Sequence, residues 1–144
     1  NFYDYGIQLT RRFRALKFYM SIKTYGLNAF KKAVTYNIDL AEETEDLLRK
    51  SSNWEIVSQA TLAIINFRYN PIHLELPEDK LDKLNQEISS RMIDSREALL
   101  VTTILQNQVV IRMCLINPNT TIQHIKDTLN ECSNFATEIL EEWK

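Results

Sequence analysis

The sequence predicts an α+β fold, an antiparallel sheet with helices packed on it, from three observations. The apolar period switches between about 3.6 and 2 residues, in the order two helices, two strands, a helix, two strands, a helix. Each pair of strands is separated by a short turn, and such hairpins pair antiparallel. The 144 residues are 44% hydrophobic and 25% charged, an ordinary globular composition with enough apolar material for one core.

The first helix is expected over residues 11–25, capped by Thr10 and ended by Gly26 in a left-handed turn. Phe13, Leu16, Phe18, Tyr19, Met20, Ile22 and Tyr25 cover more than one face, which predicts burial on two sides. Asn28 caps a second helix over 29–50. Its inner stripe is Phe30, Ala33, Val34, Leu40, Ala41, Leu47 and Leu48. Glu42, Glu43, Glu45 and Asp46 form a solvated face, and Arg49 and Lys50 sit at the favourable C-terminal pole.

Ser51-Ser52-Asn53 breaks that helix, and strands follow over 54–58 and 62–69, ended by Asn70-Pro71. Pro77 opens a third helix that runs to about Ser95, with Glu78 and Asp79 in its first turn and Leu81, Leu84, Ile88 and Met92 as its stripe. A second hairpin pairs 99–105 with 109–116 about Gln106-Asn107-Gln108 and stops at Asn117-Pro118. Thr120 and Gln123 match a capping box for the last helix, which carries Ile122, Ile125, Leu129, Cys132, Ala136, Ile139 and Trp143 on one face.

The formal charge of −2 gives no global attraction for nucleic acid or acidic lipid. No apolar run approaches the ~18 residues of a membrane span. Cys114 and Cys132 make no disulfide framework, so a cytoplasmic setting is expected. With 2 Gly and 3 Pro there is no phosphate-cradling loop. The chain opens Asn-Phe-Tyr-Asp without Met, and reads as a piece of something longer.

Chemistry-bearing patterns are few. His73 and His124 have no second ligand at helical spacing and read as ordinary solvent-facing histidines, which leaves no metal site. Both cysteines fall on apolar positions and read as small hydrophobes. Glu42–Asp46 reads as a solvated helix face. Two features stand out. Arg11, Arg12, Arg14, Lys17 and Lys23 crowd a strongly apolar helix; with Phe13 and Leu16 expected to be buried, one arginine is held in an interface or against an anion rather than on nucleic acid. Arg112 interrupts the apolar run 109–116 on an expected central strand, sharing a face with Val110, Cys114 and Ile116. A buried guanidinium there needs an anion, either a helix carboxylate or the carboxylate of a ligand.

The run Gln8-Leu9-Thr10-Arg11-Arg12-Phe13-Arg14-Ala15-Leu16-Lys17, followed by Tyr25-Gly26, resembles the start of the C-terminal domain of the group II pyridoxal-phosphate-dependent amino-acid decarboxylases. That family includes the aromatic amino acid, glutamate, histidine and 2,4-diaminobutyrate decarboxylases. The resemblance continues through Ile38-Asp39-Leu40-Ala41, Trp54-Glu55-Ile56, Asn66-Phe67-Arg68-Tyr69 and Ile111-Arg112-Met113 before Asn117-Pro118, so it covers essentially the whole chain. It implies that residues 1–144 are the small C-terminal domain of a dimeric fold-type I enzyme, with the helices near 11–50 leading in from a large domain upstream.

The implied activity is loss of the α-carboxylate of an L-amino acid as CO2. The implied cofactor is pyridoxal 5′-phosphate, held mainly by the large domain. The family's Schiff-base lysine follows a histidine, and no His-Lys pair occurs here, so this chain alone is expected to be inactive. Arg112 matches an arginine implicated in holding a substrate carboxylate. Arg12 matches one near the active-site entrance, at the junction with a mobile loop. The implied partners are the amino-acid substrate, the large domain and a second copy of the enzyme. The competing reading is a stand-alone α+β interaction module that uses no cofactor.

Overall fold

The computed structural model describes residues 2–5, 7 and 12–144, which fall into two compact units, 1–33 and 34–144. In the first unit a short 3-10 turn, Phe2–Tyr5, precedes α1, Ala15–Tyr25. The expected Thr10 cap and Arg11 start lie outside the described residues; Arg14 stands at the N-cap position and makes no side-chain cap bond. Gly26 ends α1 with its N–H on the Ile22 carbonyl (2.8 Å). Its φ is +78°, but its ψ of 152° is extended, so Gly26 redirects the chain instead of forming a left-handed helical turn. Only glycine takes up such a conformation readily.

No residue of α1 is buried. Phe18 is 64% and Tyr25 71% exposed, against the expectation of burial on two sides, and Phe13 and Leu16 are exposed as well. Phe18 does pack edge-on against Phe30, with ring centroids 6.4 Å apart.

α2, Leu27–Arg49, starts directly after Gly26, so Asn28 lies inside it and is not its cap. In the second unit Leu40, Ala41 and Leu48 are buried as expected, but Val34 is exposed. Two polar residues, Asn37 and Thr44, are buried instead; the Thr44 hydroxyl is satisfied by the Leu40 carbonyl at 2.7 Å.

The sheet order is β1-β2-β4-β3, and every neighbouring pair is antiparallel. β1, Trp54–Thr61, and β2, Ile64–Tyr69, form the first hairpin; β3, Val101–Leu105, and β4, Gln108–Cys114, form the second. Both turn on two residues with positive φ, Leu62-Ala63 and Gln106-Asn107. Positive φ at both central residues matches the right-handed strand twist. β2 and β4 are the central strands, so Arg112 is on a central strand as expected. α3, Glu78–Ser95, links the hairpins, and α4, Ile122–Glu142, follows the second.

Ile65, Phe67, Tyr69, Ile111 and Met113 alternate along β2 and β4 toward one face. There they meet Leu84, Ile88 and Met92 of α3, Ile125, Leu129, Cys132, Ala136 and Ile139 of α4, and the inner face of α2. The stripes expected for α3 and α4 are therefore the core, each large side chain contributing about 1.5–3 kcal/mol by leaving water.

The polar side of α3 also binds the sheet. Asn85 accepts the Tyr69 N–H (2.7 Å) and donates to the Tyr69 and Leu81 carbonyls (3.1 and 2.9 Å). The Ser89 hydroxyl donates to the Leu100 carbonyl, and Asp82 accepts the Val109 N–H. Among the described residues no helix is long and apolar enough to cross a membrane.

Candidate functional site

Arg112 stands opposite Asn66 of β2 and Val101 of β3. The helices take the other face of the sheet, so Arg112 and Cys114 are exposed and Asn66 is half-buried. The expectation of a buried Arg112 is therefore corrected, because a central strand is covered only on the face that something packs against. Of the residues expected beside it, Val110 is buried while Ile116 is exposed. Among the described residues no hydrogen bond or ion pair reaches the Arg112 guanidinium, so the expected helix carboxylate is not there.

Among the described residues the buried arginine is Arg68, two residues beyond Asn66 and only 3% exposed. Its Nε donates to Glu55 Oε2 (2.7 Å), Nη1 to Glu78 Oε2 (2.7 Å) and Nη2 to Glu78 Oε1 (3.2 Å). Asn70 Nδ2 completes the cluster on Glu55 at 2.7 Å. The hydrogen bond from Arg68 holds the Glu78 carboxyl below its ordinary range. Sequence reasoning missed this cluster. Its signal was a lone arginine between Phe67 and Tyr69, with a Glu at the register position opposite.

Across β1 and β2 the outer face carries a second polar contact. A register shift between Ile56 and Ser58 leaves Val57 unpaired and sets Ser58 opposite Asn66. Asn66 Nδ2 donates to Ser58 Oγ at 2.7 Å. Beside them lies a depression of about 440 Å³, lined by Ser58, Thr61, Leu62, Ile64 and Asn66.

Arg12 lies in the first unit, three residues before α1, and its side chain is exposed. Its backbone carbonyl accepts the Arg14 N–H at 2.8 Å. Arg14, Lys17 and Lys23 are exposed as well, with Lys23 Nζ 5.6 Å from the Tyr19 ring centroid.

The remaining polar candidates have structural work. Glu45 is not free on a solvated face: its Oε2 accepts the Ala60 N–H of β1 and its Oε1 accepts from Arg49. Those donors, the Ala60 amide foremost, keep its carboxyl below the ordinary range. His124 is exposed but not idle. Its Nδ1 accepts the Thr121 N–H (3.2 Å), and Thr121 Oγ1 accepts the His124 N–H (3.3 Å). The capping box of α4 is thus Thr121 with His124, one residue on from Thr120 with Gln123. His73 faces solvent. Cys132 is buried as a small hydrophobe, its thiol pushed up to about 12 by burial, whereas Cys114 is exposed. Among the described residues no group of three His, Cys, Asp or Glu is placed to hold a metal.

All nine lysines are exposed. A Schiff-base lysine needs a positioned amine in a desolvated pocket, and none here has one. The residues of this chain do not fit a pyridoxal phosphate site by themselves.

The fold defines a class, a small α+β domain with a four-stranded antiparallel sheet. Oryza sativa TDC, solved with PLP and tryptamine, superposes with a TM-score of 0.83 at 24% identity, over 94% of this chain and 29% of that one. Mouse CSAD in its apo form gives 0.85 at 19% identity, over 94% and 30%. Residues 1–70 match the pyridoxal-dependent decarboxylase conserved domain.

The chain is similar along nearly its whole length to pyridoxal-dependent decarboxylases. It is 40% identical over 139 residues to the aromatic-L-amino-acid decarboxylase of Bacillus atrophaeus, covering 96% of this chain and 29% of that protein. It is 31% identical to a phenylacetaldehyde synthase of Arabidopsis thaliana, over 95% and 28%. The L-2,4-diaminobutyrate decarboxylase of Acinetobacter baumannii is 26% identical over 90% and 25%. The chain spans less than a third of the length of these relatives.

Proposed function

We propose that residues 1–144 are the C-terminal small domain of a decarboxylase that uses pyridoxal phosphate to release the α-carboxylate of an L-amino acid as CO2. The observation that carries this reading is the 40% identity to an aromatic-L-amino-acid decarboxylase along nearly the whole chain. No finding favours the cofactor-free interaction module. The cofactor, whose chemistry is to act as an electron sink, is held by the rest of the protein.

What this chain contributes is substrate orientation. Arg112 has the planar fork that recognises a carboxylate, and its guanidinium is not committed to any described residue. An arginine that gripped the departing carboxylate tightly would stabilise the charge the reaction must lose. Arg112 therefore orients the substrate more than it holds it, or binds a second substrate carboxylate. Arg12 serves at the entrance.

The partners are the large domain and a second copy of the enzyme. The exposed apolar residues of α1 support such partners, since apolar surface of that kind marks an interface. Two free thiols fit a cytoplasmic protein.

The test uses the full-length protein with pyridoxal phosphate and a panel of L-amino acids, following CO2 and product. An amine with one CO2 per turnover is expected. An aldehyde would align the enzyme with the phenylacetaldehyde synthases and overturn simple decarboxylation. Arg112→Met should lower kcat/KM by about 10–150-fold, as for loss of a charged hydrogen bond. An unchanged kcat/KM would make Arg112 purely structural. Sedimentation of the full-length protein as a monomer would remove the second copy.

A further inference from the structure

Arg112 has a long side chain with no described partner, on an open sheet face. To orient a carboxylate, such a side chain must give up rotamer freedom unless a neighbour limits it in advance. Directly opposite stand only two side chains, Val101 on β3 and Asn66 on β2. Val101 offers no polar atom, so Asn66 is the one cross-strand neighbour able to bond a guanidinium.

Asn66 is itself held. Its Nδ2 donates to Ser58 Oγ on the β1 side. The two arms of an amide diverge by about 120°, so with nitrogen committed toward β1 the oxygen is left for the other side of β2, where β4 runs. The bulge makes this possible. Continued without a shift, the register would set Val57 opposite Asn66; the extra residue puts the Ser58 hydroxyl there instead. Bulges serve to re-aim a side chain in this way. The depression beside Ser58 and Asn66 keeps the amide next to open space.

We propose that Asn66, anchored by Ser58, is a positioning residue for Arg112: when the Arg112 side chain turns onto a substrate carboxylate, Asn66 Oδ1 takes up one guanidinium N–H and leaves the other edge of the fork for the carboxylate of an amino-acid substrate. The proposal rests on the reading of Arg112 as a substrate-orienting residue. Asn66 touches no reacting atom and acts only through Arg112.

The experiment uses the full-length holoenzyme and separates KM from kcat. Asn66→Leu keeps volume and removes the acceptor; KM should rise about fivefold to tenfold with kcat within twofold. In an Arg112→Met background the same substitution should add nothing, because the residue it positions is gone. Asn66→Asp should raise KM further than Asn66→Leu, since a fixed carboxylate pairs with Arg112 and competes with the substrate. Ser58→Ala, which only frees the amide, should move KM the same way by about twofold to threefold; it also serves if Asn66→Leu fails to fold. If Arg112→Met raises KM while the Asn66 and Ser58 variants leave it unchanged, or if the effects multiply in the double variant, the positioning role is wrong. If Arg112→Met changes neither constant, the reading of Arg112 fails, and the role of Asn66 fails with it.

Discussion

Arg68, on β2, and Glu78, the first residue of α3, are joined by two parallel hydrogen bonds, Nη1 to Oε2 at 2.7 Å and Nη2 to Oε1 at 3.2 Å. With Glu55 on the third guanidinium nitrogen, this pair fastens the start of α3 to the first hairpin. Both carboxylates keep access to water, at 39% and 63% side-chain exposure, so removing the arginine leaves no buried anion behind. Arg68→Met should therefore cost about 1–3 kcal/mol and not the larger penalty of a stranded charge. Hydrogen exchange of the β2 and α3 amides in the full-length protein should show the loss there first.

The Glu78 contribution depends on pH in a definite direction. Its folded-state carboxyl is held low by Arg68, so the stabilisation is fully present above the ordinary carboxyl range. It disappears as pH falls through the lowered folded-state value. Glu78→Gln should cost about 0.5–1 kcal/mol at pH 7 and nothing once the acid range is reached. Exchange measured at pH 7 and in acid tests this; an equal cost at both would mean that the charge of Glu78 is irrelevant.

Asn85 satisfies both backbone groups of Tyr69 from inside the core. Asn85→Leu would leave that N–H and that carbonyl without partners, a loss of about 2–4 kcal/mol summed over the two groups. The last residue of β2 should then exchange its amide much faster than Phe67 beside it.

The two capping residues considered for α4 can be told apart by substitution. Thr121→Ala should cost about 1 kcal/mol of α4 stability, and Thr120→Ala close to nothing. The reverse order would restore the sequence-based assignment.

Burial raises the Cys132 thiol to about 12, which leaves almost no thiolate at pH 8. In the folded full-length protein, alkylation followed by peptide mapping should find Cys132 unmodified until denaturant is added. Fast labelling would place Cys132 outside the core.

Local periodicity carried the order of elements, the presence of both hairpins and the stripes of α3 and α4. It put the first turn at residues 59–61, but these belong to β1, and the turn lies at Leu62-Ala63. An i, i+3, i+7 run such as Leu81, Leu84 and Ile88 has only one way to face a sheet. Family likeness, legible in the Arg-Arg-Phe-Arg run and in Ile-Arg-Met, extended the reading to Arg112 and Arg12. Helix ends were less legible. The shift from Thr120 to Thr121 is one residue, and a histidine can serve as the second half of a capping box as well as glutamine.

The sequence by itself determined which segments are helices and strands, because backbone propensity and hydrophobic period are local. It did not determine which arginine is buried. Arg68 and Arg112 are each a lone charge in an apolar strand, and nothing local separates them. The tertiary structure decided it by bringing Glu55 across the hairpin and Glu78 from the next helix onto Arg68. It also placed α3 and α4 on the sheet face opposite Arg112. Burial of a strand residue depends on what packs over its face, and that covering comes from segments remote in the chain.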